Sequence, residues 1–518
     1  MNKSLLERLL DYYQISYEDY LKITQNTSLL SFSDGHQFND IDKAVNLVKE
    51  VIANKGKIVI YGDYDADGIM GTSILVKMFQ YLDVVVDYYI PNRYIDGYGL
   101  NMIHAQEYID AKYDLVITVD NGITAFDPID LLRKNGIKVL ILDHHQTQDT
   151  VPNADAICHP IYSKFGEVSS SGAFTAFMFS ISLLGRVDKY LSILASISLI
   201  SDMMPLLEYN RNLLRSVFDV YRHGEFLAVD LLGDKEEFNE QLIGMKIAPR
   251  INAIGRLCED TSINEIVKYF VTDDKDFILS YFSHILEMND ARKSLSKEEI
   301  DESKISPEDK AIVLLGDYKE GIIGLVANSV MNKYHLPTVI FTKTLDGSLK
   351  GSARAPEGFG IVEAFNELSD ILLTSGGHAM AGGCSILEKD YPEFVRRFKE
   401  IAKRKPFTKV EHKTIDIGMS ELILENYELI HSFSPFGESW PAPLFKLSHI
   451  KVSSLTYSRD HNHIITSLGN RLKIVYFYYP KDDLESSSFV DFIGQINKKE
   501  YKGFVYLEFS VKEMSPSK

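Results

Sequence analysis

The residues best suited to chemistry fall in four short stretches. The first, Tyr61-Gly62-Asp63-Tyr64-Asp65-Ala66-Asp67-Gly68, places three carboxylates within five residues. Carboxylates this close repel one another unless a cation neutralises them. Hard oxygen donors suit Mg2+ or Mn2+, and Gly62 and Gly68 let the backbone turn tightly around an ion. Taken alone, the stretch also reads as an acidic β-turn in solvent. Thr118-Val119-Asp120-Asn121-Gly122 adds one carboxylate after an apolar run, in a sequence that is itself a good turn. Leu142-Asp143-His144-His145-Gln146 sets two imidazoles side by side. Neutral histidine is a common metal ligand, and its neighbour can hold a phosphate or donate a proton. Asp202 follows another apolar stretch and either reaches the same place or caps a helix end. Repeated Asp with few His is what two metal ions roughly 3.5–4 Å apart require, one generating a hydroxide nucleophile and both neutralising a phosphoryl group. No Ser-His-Asp arrangement, Walker loop or G-x-G-x-x-G after a strand competes with this pattern. The residues point to a metal-dependent phosphoesterase.

The elements that must position them alternate in type. Residues 57–61, 84–90, 114–119 and 139–142 are short β-branched runs, separated by helix-like stretches at 71–82, 101–109 and 125–135. Such alternation predicts β-α-β units with a mostly parallel sheet and helices on both faces. Ligands of open α/β sheets gather beyond the carboxyl ends of the strands, where Asp63, Asp120 and Asp143 fall. After Asp202 the pattern becomes helical, with 288–304 reading as an exposed connecting helix. A second, smaller α/β pattern begins with a strand at 311–315, passes Gly316, Gly321 and Gly324 into a helix, and returns to a strand at 338–341. Beyond Pro406, five alternating strands (450–456, 463–467, 472–478, 489–493 and 505–511) fit a small OB-like β-barrel. The expected division is 1–40, an N-terminal helical extension; 41–230, catalytic; 231–305, a helical connector; 306–405, substrate-binding; and 406–518, the barrel.

Composition sets outer bounds. At 518 residues the chain is too long for one core. Its apolar run at 191–200 is broken by Ser192, Ser196 and Ser198 and falls short of the about 20 residues a membrane span needs. Acidic and basic residues in the first eight positions leave no room for the apolar part of a secretory signal, so the expected location is the cytoplasm and no membrane contact is expected. Cys158, Cys258 and Cys384 are too scattered for a disulfide framework or a zinc site. The net charge of −18 argues against broad phosphate binding over the whole surface. Yet 393–413 holds eight basic residues (Arg396, Arg397, Lys399, Lys403, Arg404, Lys405, Lys409 and Lys413) against three acids. That cluster reads equally as a solvated helix end or as a local phosphate track.

The Asp-x-Asp-Gly, Asp120 and Asp-His-His motifs resemble the DHH phosphoesterase superfamily. Gly351-Ser352-Ala353-Arg354 and Gly376-Gly377-His378-Ala379-Met380-Ala381-Gly382-Gly383 resemble its associated substrate-binding domain. Pro249-Arg250-Ile251-Asn252-Ala253-Ile254-Gly255-Arg256, Ser434-Pro435-Phe436-Gly437 and Pro441-Ala442-Pro443-Leu444-Phe445 are similar to the RecJ-like single-strand-specific DNA exonucleases within that superfamily. The resemblance runs roughly from residue 58 to 511. It implies hydrolysis of single-stranded DNA in the 5′→3′ direction, in DNA repair and recombination, with two Mn2+ or Mg2+ ions. It implies Asp63, Asp65, Asp67, Asp120, His144 and Asp202 as metal ligands, with Asp120 bridging, and Asp120, His144 and His145 as catalytic. His145, Arg250, Asn252, Arg256, Ser352, Arg354, Gly376, Gly377 and His378 would face substrate; arginine suits this because its planar fork binds phosphate bidentately. Barrel aromatics Tyr457, Tyr476 or Phe477 would either stack bases or fill the barrel core. A monomer working with a single-strand-binding protein and a helicase is the expected assembly. Tyr61 departs from the pattern, standing where many relatives carry a histidine, and leaves Asp63 to complete the first metal site. Two other functions fit less of the sequence: a phosphodiesterase for short oligonucleotides or cyclic dinucleotides, and a non-catalytic DNA-binding scaffold.

Overall fold

Five short strands build the first sheet: β1 (Ile58–Tyr61), β2 (Asp87–Tyr89), β3 (Leu115–Val119), β4 (Lys138–Leu142) and β5 (Ala156–Cys158). They run parallel in the order β2-β1-β3-β4-β5. β1, β3 and β4 are buried along nearly their whole length. Strands covered on both faces carry apolar side chains at every position, which is why these runs do not alternate. The expected strand at 84–90 shrinks to three residues, with Val85 94 % exposed ahead of it. β5 is too short to have shown in the sequence.

The computed structural model describes residues 3–25, 27–34, 38–163, 169–296, 305, 310–344, 347–405, 412–459, 461–468, 471–477, 479, 487–501 and 503–517. Behind the first sheet, the Ala66–Tyr81 helix is buried on nearly all sides by the Gly172–Leu184 and Lys189–Ser201 helices. The serines that interrupt the 191–200 run are buried with it. Ser192 and Ser196 hydroxyls donate to carbonyls of their own helix, at 2.7 and 2.8 Å, so they cost little to bury. The connector helix spans Lys275–Leu295. The helix expected at 288–304 is its last turns, and 297–304 lie outside the described residues.

The second sheet holds β6 (Ile312–Leu315), β7 (Thr338–Lys343), β8 (Ser348–Arg354), β9 (Thr374–Gly377) and β10 (Ala381–Leu387), in the order β6-β7-β8-β10-β9. Only β6 and β7 are parallel. The Ile323–Tyr334 helix packs on β7 and β8. Both sheets belong to one unit spanning Ser28–Val410.

A second unit joins Met1–Thr27 to Glu411–Lys518. Its sheet contains β11 (Ile415–Asp416), β12 (Phe445–Lys451), β13 (His463–Leu468), β14 (Leu472–Phe477), β15 (Phe489–Tyr501) and β16 (Phe504–Pro516). The order is β11-β12-β15-β16-β14-β13, one strand more than the sequence suggested among the described residues. Tyr478, expected to close β14, lies outside them. The N-terminal residues do not form a separate 1–40 extension. Leu5 and Leu9, one helical turn apart, sit in the same core as Phe433, Phe445 and Phe509. Tyr13 stacks on Trp440, centroids 4.4 Å apart, and donates to the Pro441 carbonyl at 2.8 Å. No described helix is long and apolar enough to cross a membrane.

Candidate active site

The fold brings the acidic stretches together at strand and helix ends. Asp63 follows β1. Asp65 caps the Ala66–Tyr81 helix, accepting from the Asp67 and Gly68 amides at 2.9 and 3.2 Å. Asp67 is fixed from across the unit. It accepts from the Gly172 and Ala173 amides, both at 2.8 Å, and from the Ser198 hydroxyl at 2.6 Å. Those amides open the Gly172–Leu184 helix, whose positive end favours a carboxylate. Asp120 follows β3 in the left-handed region, φ +61°. Gly172 approaches it so closely that a Cβ there would lie 2.8 Å from the Asp120 Cα.

His144 joins these groups. Its Nε2 lies 3.1 Å from Asp120 Oδ1 and 3.5 Å from both Asp67 Oδ2 and Asp202 Oδ2. Burial lowers its pKa and favours the neutral ring a metal ligand needs. Asp202 sits at the C-terminal end of the Lys189–Ser201 helix, where the dipole disfavours a negative charge. Burial, then Asp67 and Asp65, push its pKa up to about 9. Burial pushes Asp63 and Asp120 well above the usual carboxylate range, reinforced by Asp65 at Asp63 and by Asp67 at Asp120.

Asp63 Oδ1 and Asp202 Oδ2 are buried without a hydrogen bond. Such atoms are costly unless something cationic meets them. Two ligand sets, Asp63-Asp65-Asp120 and Asp67-His144-Asp202, each hold their donor atoms within 4.8 Å of one another. Five carboxylates and one neutral imidazole in two adjoining sets fit a pair of hard divalent cations.

His145 is held differently. Its Nδ1 donates to Asp143 Oδ1 at 2.8 Å, and the Tyr98 hydroxyl lies 3.1 and 3.2 Å from its two ring nitrogens. Burial disfavours the charged ring, but the Asp143 bond and the charges of Asp143, Asp202 and Asp67 outweigh it, raising the pKa to about 9. Asp143 accepts four hydrogen bonds, from the His144 and His145 amides, the Ile123 amide and the His145 ring. Burial works against its ionisation, yet these partners hold it well below the usual range. Asp143 therefore orients the loop.

Arginines gather beside the carboxylates. Burial and the neighbouring charge of Arg93 lower the Arg256 pKa to about 10, with Arg292 and Arg354 adding to the effect. The Arg93 guanidinium lies 4.0 Å over the Tyr64 ring. Arg93 Nε and Arg292 Nε are buried without a hydrogen bond. Arg354 donates to Ser352 Oγ at 3.2 Å, and both approach Gly324 in the first turn of the Ile323–Tyr334 helix. Four half-buried guanidinium groups beside a helix N-terminus, satisfied only in part by the Gly321 and Ala353 carbonyls and the Asn289 and Ser352 side chains, make a receptor for an anion.

Comparisons with known proteins match the chain domain by domain. The DHH family N-terminal domain matches residues 57–197, the DHHA1 domain 308–404 and the RecJ OB domain 415–513. The single-stranded-DNA-specific exonuclease RecJ of Haemophilus influenzae is 30 % identical over 89 % of this chain and 86 % of its own length. The chain belongs to the RecJ family. The RecJ of Bacillus subtilis is also 30 % identical, over 81 % of this chain; the match spans 55 % of that longer protein. The crystal structure of Thermus thermophilus RecJ in complex with Mn2+ superimposes with a TM-score of 0.83 at 25 % identity, covering 99 % of this chain and 78 % of that one. A RecJ exonuclease bound to manganese is 30 % identical with a TM-score of 0.61, over 71 % of this chain and 96 % of that one.

Several residues singled out by the RecJ resemblance are occupied elsewhere. Arg250 forks onto both Asp234 carboxylate oxygens, at 3.0 and 2.9 Å, and onto the Leu232 carbonyl. Asn252 Oδ1 accepts from the Ala66 amide at 2.8 Å, bracing the acidic loop from behind. Gly376, Gly377 and His378 lie on exposed β9 and the turn after it, with no described hydrogen bond or ion pair to the cluster. The basic residues of the Tyr391–Arg404 helix and Lys405 after it are largely paired. Arg396 bonds Glu393 and Glu400, Arg397 bonds Asp370, and Arg404 and Lys405 share Glu367. Lys409 lies outside the described residues. Tyr457 and Tyr476 pack on the core of the second unit, while Phe477 is 62 % exposed. Tyr61 is fully buried with its hydroxyl on the Gly99 carbonyl at 3.1 Å, so it offers no ligand. Arg93, Arg292, Tyr98 and Ser198 carried no motif signal, and the one sequence feature that could have marked Tyr98 is the pair of glycines flanking it.

Proposed function

We propose that this chain is a divalent-cation-dependent exonuclease that hydrolyses single-stranded DNA in the 5′→3′ direction. The observation that carries the reading is the placement of two ligand sets, one joined to the other through Asp120 and His144, beside a half-buried group of four arginines. Asp63, Asp65 and Asp120 would hold one cation, and Asp67, His144 and Asp202 the other. When bound, such a pair supplies a water acidic enough to attack at neutral pH and neutralises phosphoryl charge. The chain's own residues do the rest. His145 presents a donor to a phosphoryl oxygen, and Asp143 fixes its ring through Nδ1. The Ser198 hydroxyl and the amides of Gly172 and Ala173 keep Asp67 oriented, as partners behind a ligand do in metal sites. Arg93, Arg256, Arg292 and Arg354, with Ser352, bind the terminal phosphate and set the distance to the scissile bond. Exposed Phe477 and Phe504, and Tyr506 with Lys473 4.3 Å over its ring, offer stacking and phosphate contacts for the strand on the second unit.

The working division is a catalytic domain at 41–230, a connector at 231–305, a substrate domain at 306–405 and a nucleic-acid-binding domain from 406. We assign action as a cytoplasmic monomer on strands exposed by a helicase and coated by a single-strand-binding protein. The test is digestion of single-stranded DNA labelled at either end, in Mn2+, with 5′-phosphate and 5′-hydroxyl termini compared. Mononucleotides released first from the 5′-phosphorylated end support the reading. Release from the 3′ end overturns the polarity, and cleavage of dinucleotides but not of long strands overturns the substrate.

A further inference from the structure

The connection between β2 and the Met102–Asp110 helix is held at unusually many points. Asn92 donates through Nδ2 to the Cys258 and Asp260 carbonyls at 3.1 and 3.0 Å. Asp96 accepts from the Tyr89 hydroxyl at 2.8 Å and the Asn92 amide at 2.7 Å, and contacts the buried His104 ring at 3.1 Å. Gly97 and Gly99, at φ +77° and +75°, bracket Tyr98. A Cβ would meet nothing within 4 Å at Gly97, so the glycine answers a backbone requirement, not a lack of room. Tyr61 then pins the segment from beneath through Gly99. All this fixes one side chain whose hydroxyl reaches the site: Tyr98 lies beside both His145 ring nitrogens and 3.4 Å from the Asp120 carbonyl.

We propose that Tyr98 is a positioning residue for His145, and that Tyr61 acts on the same group by holding the Gly99 carbonyl. Asp143 takes Nδ1, and the Tyr98 hydroxyl lies against the ring, 3.1 Å from Nδ1 and 3.2 Å from Nε2, which leaves the Nε2 hydrogen for a phosphoryl oxygen. The imidazole is thereby held through Nδ1 and confined by the hydroxyl beside it, and its ring plane is set before substrate arrives. Tyr61 thus has a role in this chain other than ligation. The inference rests on the proposed role of His145 at the scissile phosphate.

A double-mutant cycle on the full-length chain tests it, in single-turnover digestion of 5′-phosphorylated single-stranded DNA with Mn2+. Tyr98→Phe is expected to lower the maximal rate about tenfold, the cost of losing one hydrogen bond of roughly 1.4 kcal/mol, with the half-saturating DNA concentration within twofold of wild type. In a His145→Gln background the same substitution is expected to cost less than twofold, because its target is gone. Tyr61→Phe is expected to act in the same direction, more weakly. Equal cost in both backgrounds, or a changed half-saturation with an unchanged rate, overturns the proposal. His145→Gln with wild-type rate overturns the role of His145 itself, so the two failures are separable. Ring-15N-labelled histidine gives a readout independent of turnover. Tyr98→Phe must shift a His145 ring nitrogen in the metal-free protein, and an unshifted resonance overturns the contact.

Discussion

Ser198→Ala removes a single oxygen that touches neither substrate nor any of the proposed cation positions. The Ser198 hydroxyl is fully buried and donates to Asp67 Oδ1 at 2.6 Å. It is one of three donors to that carboxylate, the others being the Gly172 and Ala173 amides. A hydrogen bond to a buried ionised group contributes about 1.5–3 kcal/mol. The substitution leaves Asp67 free to rotate about its two amide partners, so part of that energy reappears as weaker cation binding. Loss of a partner behind a ligand typically costs about 10–100-fold in metal affinity, which is roughly 1.4–2.7 kcal/mol and matches the hydrogen-bond figure. Mn2+ titration by calorimetry is expected to show the weaker of two sites shifted by that factor. The maximal rate at saturating Mn2+ should stay within about threefold of wild type. An unchanged Mn2+ affinity together with a lowered melting temperature would refute the reasoning, since Ser198 would then only stabilise the helix pair.

Other outcomes follow from the same geometry. Gly172→Ala drives a methyl group to 2.8 Å from the Asp120 Cα, a contact with backbone that cannot yield; nuclease activity should fall by at least about a hundredfold and the melting temperature should drop. Stability of the metal-free protein should decline as pH rises from about 4 towards 9. Asp202 has a folded pKa near 9 against an unfolded value of 3.8, so the native state alone keeps the proton in that window and unfolding releases it. The slope is at most about 1.4 kcal/mol per pH unit per such group, and added Mn2+ should flatten it in denaturant melts; a metal-free stability that rises over this range contradicts the assignment. Leu9→Ala, far along the chain from the barrel sequence, should destabilise the second unit by about 2–5 kcal/mol while leaving Mn2+ affinity unchanged.

The chemistry of the site was readable because its residues are conspicuous by type. Asp63, Asp65, Asp67, Asp120, His144 and His145 follow short apolar runs that are strands of a buried parallel sheet, which end where ligands gather, and Asp202 follows an apolar run that is a buried helix. What could not be read was how each carboxylate is held. Asp67 depends on a helix start 105 residues away in sequence, and nothing local to Gly172 announces it. Arg250 and Asn252 lie in a motif that reads as substrate-facing, yet one is consumed by Asp234 and the other by a backbone amide. Proximity in sequence to Arg256 said nothing of which way each side chain leaves the helix. The basic 393–413 stretch left two readings open for a related reason, because Asp370 and Glu367, the acidic partners of Arg397, Arg404 and Lys405, come from another segment. The N-terminal helices read as an appendage since their apolar face, Leu5 and Leu9, finds its core only in residues beyond 411.

Hydrolysis of single-stranded DNA is assigned to the Asp120-centred cluster with bound divalent cations. Its most direct test is digestion of end-labelled single-stranded DNA by wild type and Asp120→Ala, each in Mn2+ and in chelator. Wild type is expected to digest the strand in Mn2+ alone, and the variant to lose at least about a thousandfold in rate, since one carboxylate adjoining both cation positions is removed. Unchanged metal-dependent digestion by Asp120→Ala would contradict that assignment.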